Sequence, residues 1–290
     1  MTPAQPSRPW LLLLMGFAAM YVPLYWAASQ NLWQSDELGH GPIILGVVIW
    51  LFWRARHRIA AASTRPATAV GWSLFAAGLL LYGFGRAFSV SSIGFASQMM
   101  VAASGLLLLG GVGALKAAWF PVLYMCFMVP LPASVVDAMT GPLKNWVSVI
   151  VVDVLYAVGY PIARAGVMIS IGPYQLLVAD ACSGLNSMFS LAAVGALFIH
   201  FTNRTKRLHT AIMVASILPI AFAANIVRVL TLVLLTYHGG DEAGQGFLHG
   251  AAGAVLMAAA LGMLMALGAV LAASLGKPRL SPDHAEGESA

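Results

Sequence analysis

The sequence predicts an all-α polytopic membrane protein. It would have about eight transmembrane helices, one external interfacial helix and a small periplasmic hairpin. Two observations carry this. The chain of 290 residues is 60% hydrophobic and only 9% charged, whereas soluble domains carry about a quarter charged residues. The apolar residues fall in separate runs near the roughly 20 residues that span a bilayer. No polar stretch is long enough to form a soluble domain, so one membrane domain over residues 1–276 is expected, followed by a disordered tail from 277 to 290.

The predicted spans are 10–29, 41–54, 69–86, 93–115, 117–131, 184–202, 210–236 and 250–275. The first follows Arg8 and lacks a small-residue cleavage pattern, so it reads as an uncleaved span rather than a signal peptide. The second is short, but Gly39-His40-Gly41-Pro42 can start it at the interface. Cys126 lies in an apolar run and reads as inert packing. The tail after Lys277 holds Pro278, Pro282 and several acids.

Lysine and arginine orient the spans. Arg54, Arg56, Arg58 and Arg65 follow the second run, Arg204, Lys206 and Arg207 follow residue 202, and Lys277 and Arg279 begin the tail. With Arg8 and Lys116 these belong on the cytoplasmic side. This sorting accounts for the net charge of +5 without nucleic acid. Lys116 and Arg204 then share one side, so an even number of crossings separates them. Three apolar runs lie between, and one must not cross. Residues 133–160 hold Asp137, Lys144 and Asp153, which would cost several kcal/mol to bury in hydrocarbon. They read as a helix on the outer surface or dipping part-way in, with 161–182 also outside and both termini cytoplasmic. In 161–180, Val167, Ile169 and Ile171 alternate before a Gly172-Pro173-Tyr174 turn, the pattern of a small external hairpin. An exposed edge there could accept an extended peptide.

Three chemistry-bearing residues converge under this topology. Cys182, in Ala181-Cys182-Ser183-Gly184, stands at the outer N-terminus of a helix, where the dipole lowers a thiol pKa. Ser183 or Asp180 could cap that helix. Arg228 lies in an apolar span, roughly 13 Å below its outer end. An intramembrane arginine is functional by default. Asn225 shares its helical face, and this polar pair points inward while Ile226 and Val227 can face lipid. His249 opens the last span after a glycine-rich loop that can gate access. Thiol, guanidinium and imidazole are the parts of a cysteine acyl-transfer site. His40 reads either as support for that site or as an interfacial histidine. His238 and His249 belong to no four-ligand set with zinc-like spacing, so neither metal nor cofactor is expected.

These residues resemble the exosortases, membrane transpeptidases of Gram-negative bacteria proposed to process PEP-CTERM proteins. The resemblance rests on Ala181-Cys182-Ser183-Gly184, Asn225-x-x-Arg228, His249, His40-Gly41 and Pro130-Leu131-Pro132, over about residues 30–275. Length and the short C-terminus point to the exosortase B branch. The resemblance implies Cys182 as nucleophile, Arg228 as electrostatic stabiliser and His249 as general acid/base, with Asn225, Ser183, Gly184 and His40 in support. It also implies an inner-membrane protein with its site at the periplasmic face. Its substrates would be proteins with a C-terminal sorting signal and transmembrane helix, and the acceptor an unidentified amine. The alternatives are an anion transporter built around Arg228 and a non-catalytic component of exopolysaccharide export.

Overall fold

The computed structural model describes residues 7–34, 38–177, 184–202, 207–240 and 247–274. In chain order these form α1 (Ser7–Gln30), α2 (Gly41–Ala61), α3 (Thr68–Ala87), α4 (Ser91–Ala117), α5 (Trp119–Tyr124) with a 3-10 turn (Met125–Met128), and α6 (Ala133–Ala157). Strands β1 (Ile162–Ala165), β2 (Met168–Ile171) and β3 (Tyr174–Leu177) follow, then α7 (Gly184–Thr202), α8 (Arg207–Gly239) and α9 (Phe247–Ser274). The protein is mostly helical, as composition and run length require. It groups into two compact units, Met1–Val136 and Asp137–Ala290.

Among the described residues, four helical stretches are long and apolar enough to cross a membrane: Pro9–Gln30, Thr68–Ala87, Ser91–Ala117 and Leu208–Gly239. Three shorter apolar helices accompany them, Trp119–Met128, Phe189–Thr202 and Ala258–Ser274. The expected span 117–131 is only partly helical. The run 117–131 is helical from Trp119 to Met128, roughly 15–18 Å, and non-helical residues 129–132 carry the chain on to α6. The α-helix ends at Tyr124 and gives way to 3-10 winding, and Pro130 and Pro132 bar its continuation. Cys126 is accordingly exposed on the 3-10 turn rather than buried as packing.

In the first unit α3 and α4 form an adjacent pair, and glycines set their approach. Gly71 and Gly78 are buried and face Leu108 and Val101 of α4. The connection from α2 to α3 is clamped onto α4. Thr64 N–H donates to the Gly110 carbonyl at 2.8 Å and Ala67 N–H to the Leu107 carbonyl at 3.1 Å. Room for this comes from Gly111, whose φ of 67° breaks the helix. Gly113 contributes too, since a Cβ there would collide with the Ala62 carbonyl oxygen.

The second unit is built around α8. Its residues 221, 224, 225, 228, 229, 232, 233 and 236 are buried, while 223, 227 and 231 are exposed. That broad stripe has two halves. Ala221 and Ala224 pack with Leu191 of α7 and Ala260 of α9. Val229, Leu232 and Val233 pack with Val147, Val151 and Leu155 of α6 and with Ile162, Ile169 and Ile171 of the sheet. The strands form an antiparallel sheet in the order β1-β2-β3. The β2–β3 hairpin turns at Gly172-Pro173 as the sequence predicts, with Ile171 opposite Tyr174. The additional strand β1 pairs Ile162 with Ile171. The expected hairpin is thus two-thirds of a three-stranded sheet. Its third strand was obscured because Ile162-Ala163-Arg164-Ala165 has little β-branched character.

Candidate active site

The antiparallel order of α7, α8 and α9 follows from their contacts. Near the start of α8, Met213 packs beside Phe198 of α7 and Leu267 and Leu271 of α9. Further along, Ala221 and Ala224 lie against Leu191 and Ala260. A gain along α8 is matched by a loss on both neighbours. Arg228 is four to seven residues beyond these alanines. It is therefore level with about residues 184–187 of α7 and 253–256 of α9. The N-termini of α7 and α9 thus share a level with the C-terminal half of α8.

Arg228 is only 6% exposed, and so is Asn225. Their spacing of three places both on one face of α8, and Val227 between them is 52% exposed. The helix therefore turns its polar pair inward and an apolar residue outward, the orientation the sequence predicts. Arg228 precedes the end of α8 at Gly239 by eleven residues, roughly 16 Å of helix. That depth rules out an arginine at the helix mouth. A guanidinium kept ionised in such surroundings is a fixed positive charge in a low-dielectric site, where its attraction to a nascent anion is strongest.

His249 is the third residue of α9, four to seven residues nearer the N-terminus than the Arg228 level. Along the axis this is roughly 6–10 Å. Its side chain lies outside the described residues. Gly184 is the first residue of α7. Cys182 and Ser183, with Asp180 and the glycine-rich loop 241–246, lie outside the described residues. The chain enters α7 from β3, whose last residue is Leu177.

His40 belongs to the first unit. It precedes α2 without a side-chain cap bond and lines a small cleft with Trp33, Leu38, Phe95, Phe127 and Met128. Burial holds its imidazole below the ordinary histidine pKa. His238, weighed from sequence as a metal ligand, is within hydrogen-bonding distance of the Tyr160 hydroxyl at 3.2 Å through Nε2. Tyr160 also meets the Tyr237 ring edge-on at 5.4 Å. These contacts tie the end of α8 to the segment leading into β1. The sequence reading missed this second wall beside Arg228. In the sequence Val229, Leu232 and Val233 are simply apolar residues beside the Asn225/Arg228 face, which contact with lipid would explain equally well.

No curated protein and no solved structure matches the chain. A family model described as transmembrane exosortase matches residues 32–266. The match takes in the whole of α2 through α8 and most of α9, including Cys182, Asn225, Arg228 and His249. With most of its length so matched, the chain belongs to the transmembrane exosortase family.

Proposed function

We propose that this protein is a membrane-embedded cysteine peptidase and transpeptidase. It would cleave the C-terminal, PEP-CTERM-type sorting signal of exported proteins at the periplasmic face of a bacterial inner membrane. The Cys182 thiolate attacks the scissile carbonyl carbon. The resulting oxyanion is stabilised by the Arg228 guanidinium. As the C–N bond breaks, His249 gives a proton to the departing amine, leaving an acyl-enzyme thioester. An amine acceptor or water then attacks the thioester and releases the thiolate. Asn225, one turn before Arg228, orients the charged group, while Ser183, Gly184 and His40 act in support. The substrate's own transmembrane helix packs among the spans and brings its cleavage motif to that surface. Both termini of the enzyme are cytoplasmic, and the branch is exosortase B.

The observation that supports this reading best is Arg228. It is buried in an apolar helix at the level where α7 and α9 begin, inside a family match that spans the site. The test is co-expression with an exported protein carrying the sorting signal. Cys182→Ala should abolish the shortened product while the enzyme still inserts in the membrane. Normal processing by that variant would sink the assignment.

A further inference from the structure

The outer face of the second half of α2 is not an ordinary solvated charge run. The buried stripe of this helix is Ile44, Val48, Leu51, Ala55 and Ile59. On another side, Trp50 is 41% and Trp53 is 58% exposed. Trp50, Trp53, Arg54 and Arg58 follow the i, i+3, i+4, i+8 spacing of one helical face. Their cations are already organised. The Arg54 guanidinium lies 5.7 Å from the Trp50 ring centroid, and that of Arg56 lies 4.7 Å from the Trp53 centroid. Arg56 Nε also donates to His57 Nε2 at 3.1 Å.

Arg65 joins this end of the unit on a rigid support. Its loop is held to α4 by the Thr64 and Ala67 backbone bonds, and Gly113 N–H donates to Thr64 Oγ1 at 3.3 Å. A helix dipole and the inside preference for cations account for positive charge near a helix C-terminus. They do not account for guanidinium groups laid on exposed indoles. Indoles settle at the headgroup level of a bilayer. A guanidinium stacked there is already positioned at headgroup level, so less ordering entropy is lost when it meets a phosphate.

We propose that the second half of α2, through Trp50, Trp53, Arg54, Arg56, Arg58 and Arg65, binds the headgroups of anionic phospholipids. The partner is the phosphodiester of a lipid carrying net negative charge. The indoles bury against its acyl–headgroup boundary and the guanidinium groups contact its phosphate oxygens. This surface is separate from the proposed chemistry and does not depend on it.

The test titrates phosphatidylglycerol or phosphatidylcholine into detergent micelles holding the full chain and follows the thermal unfolding midpoint. Phosphatidylglycerol should raise the midpoint and phosphatidylcholine should not. The R54Q/R56Q variant should need about ten-fold more phosphatidylglycerol for the same shift. The W50L/W53L variant keeps the charge but should also lose most of the response. A control pair, K144Q/R164Q, removes two cations from the second unit and should respond like the wild type. The proposal is overturned if the two lipids act equally, if the control pair loses as much as R54Q/R56Q, or if W50L/W53L responds in full. Should the tryptophan variant not fold, the comparison of R54Q/R56Q with the control pair still decides.

Discussion

Both units bury neutral polar groups among apolar helices, and the second, which holds Ser148 and Thr236, also buries a guanidinium. The first holds neutral ones: Tyr21 and Ser97 share a 2.8 Å hydroxyl contact, and the Tyr25 hydroxyl donates to Gln98 Oε1 at 2.6 Å. The second holds Asn225 beside a guanidinium. A hydroxyl or amide offsets its desolvation with one or two hydrogen bonds. A guanidinium costs several kcal/mol more, and even well-paired buried ions seldom stabilise a fold relative to apolar replacements. Neutral pairs thus serve packing and register, whereas under the proposed function the buried cation is retained for what it does to the reacting carbonyl.

Substitutions should separate these roles. The largest effect on activity is expected at Arg228: Arg228→Gln should lower processing by roughly 10²–10³-fold with little loss of thermal stability. Arg228→Lys should rescue it poorly, since a point charge replaces a planar fork. Loss of folding together with activity would put Arg228 in the same class as the neutral pairs. The thiol can be probed in a Cys126→Ser background, which leaves Cys182 as the single cysteine of the two in the chain. A membrane-impermeant alkylating reagent applied from the periplasmic side should then abolish processing. Full activity after complete labelling would favour the transporter reading.

In the first unit the effects should fall on stability alone. Gly113→Val forces a side chain into the Ala62 carbonyl and should cost about 2–4 kcal/mol, read as a lower unfolding midpoint. Tyr25→Phe or Gln98→Leu should each cost about 1–3 kcal/mol, because each orphans a buried partner. The double variant should recover much of that loss, the more so because Gln98 Nε2 has no partner among the described residues. Additive losses would refute the pairing.

The smallest effect concerns pH. Burial lowers the folded-state pKa of His40 below the ordinary histidine value of about 6.5. Below pH 6.5 the unfolded chain therefore binds a proton that the folded chain refuses. Stability should fall as pH drops through that value and level off below the lowered folded pKa. His40→Gln should flatten this dependence in a thermal scan, and an unchanged slope would remove His40 as its source.

Several of these features were legible without coordinates. Helical runs of membrane length follow from composition, because lipid leaves backbone amides no partner but the helix itself. The inward turn of Asn225 and Arg228 with Val227 outward follows from helical periodicity. The hairpin followed from alternation and a Gly-Pro turn. Periodicity could not show where 117–131 stops being α-helical, since an apolar run gives the same signal when it is interrupted. Nor could it show that α4 breaks at Gly111 to admit the loop carrying Arg65, or that β1 joins the sheet through a strand of mixed composition.

The amino-acid order alone determined the membrane class, the positions of the helices and the candidate chemistry of Cys182, Arg228 and His249, because each depends on local residue type and spacing. Only the tertiary structure decided which helices are neighbours and at what level. The stagger of α7 and α9 against α8 depends on side chains such as Leu191, Ala224 and Ala260 meeting across long separations in sequence. Such contacts leave no local periodic trace.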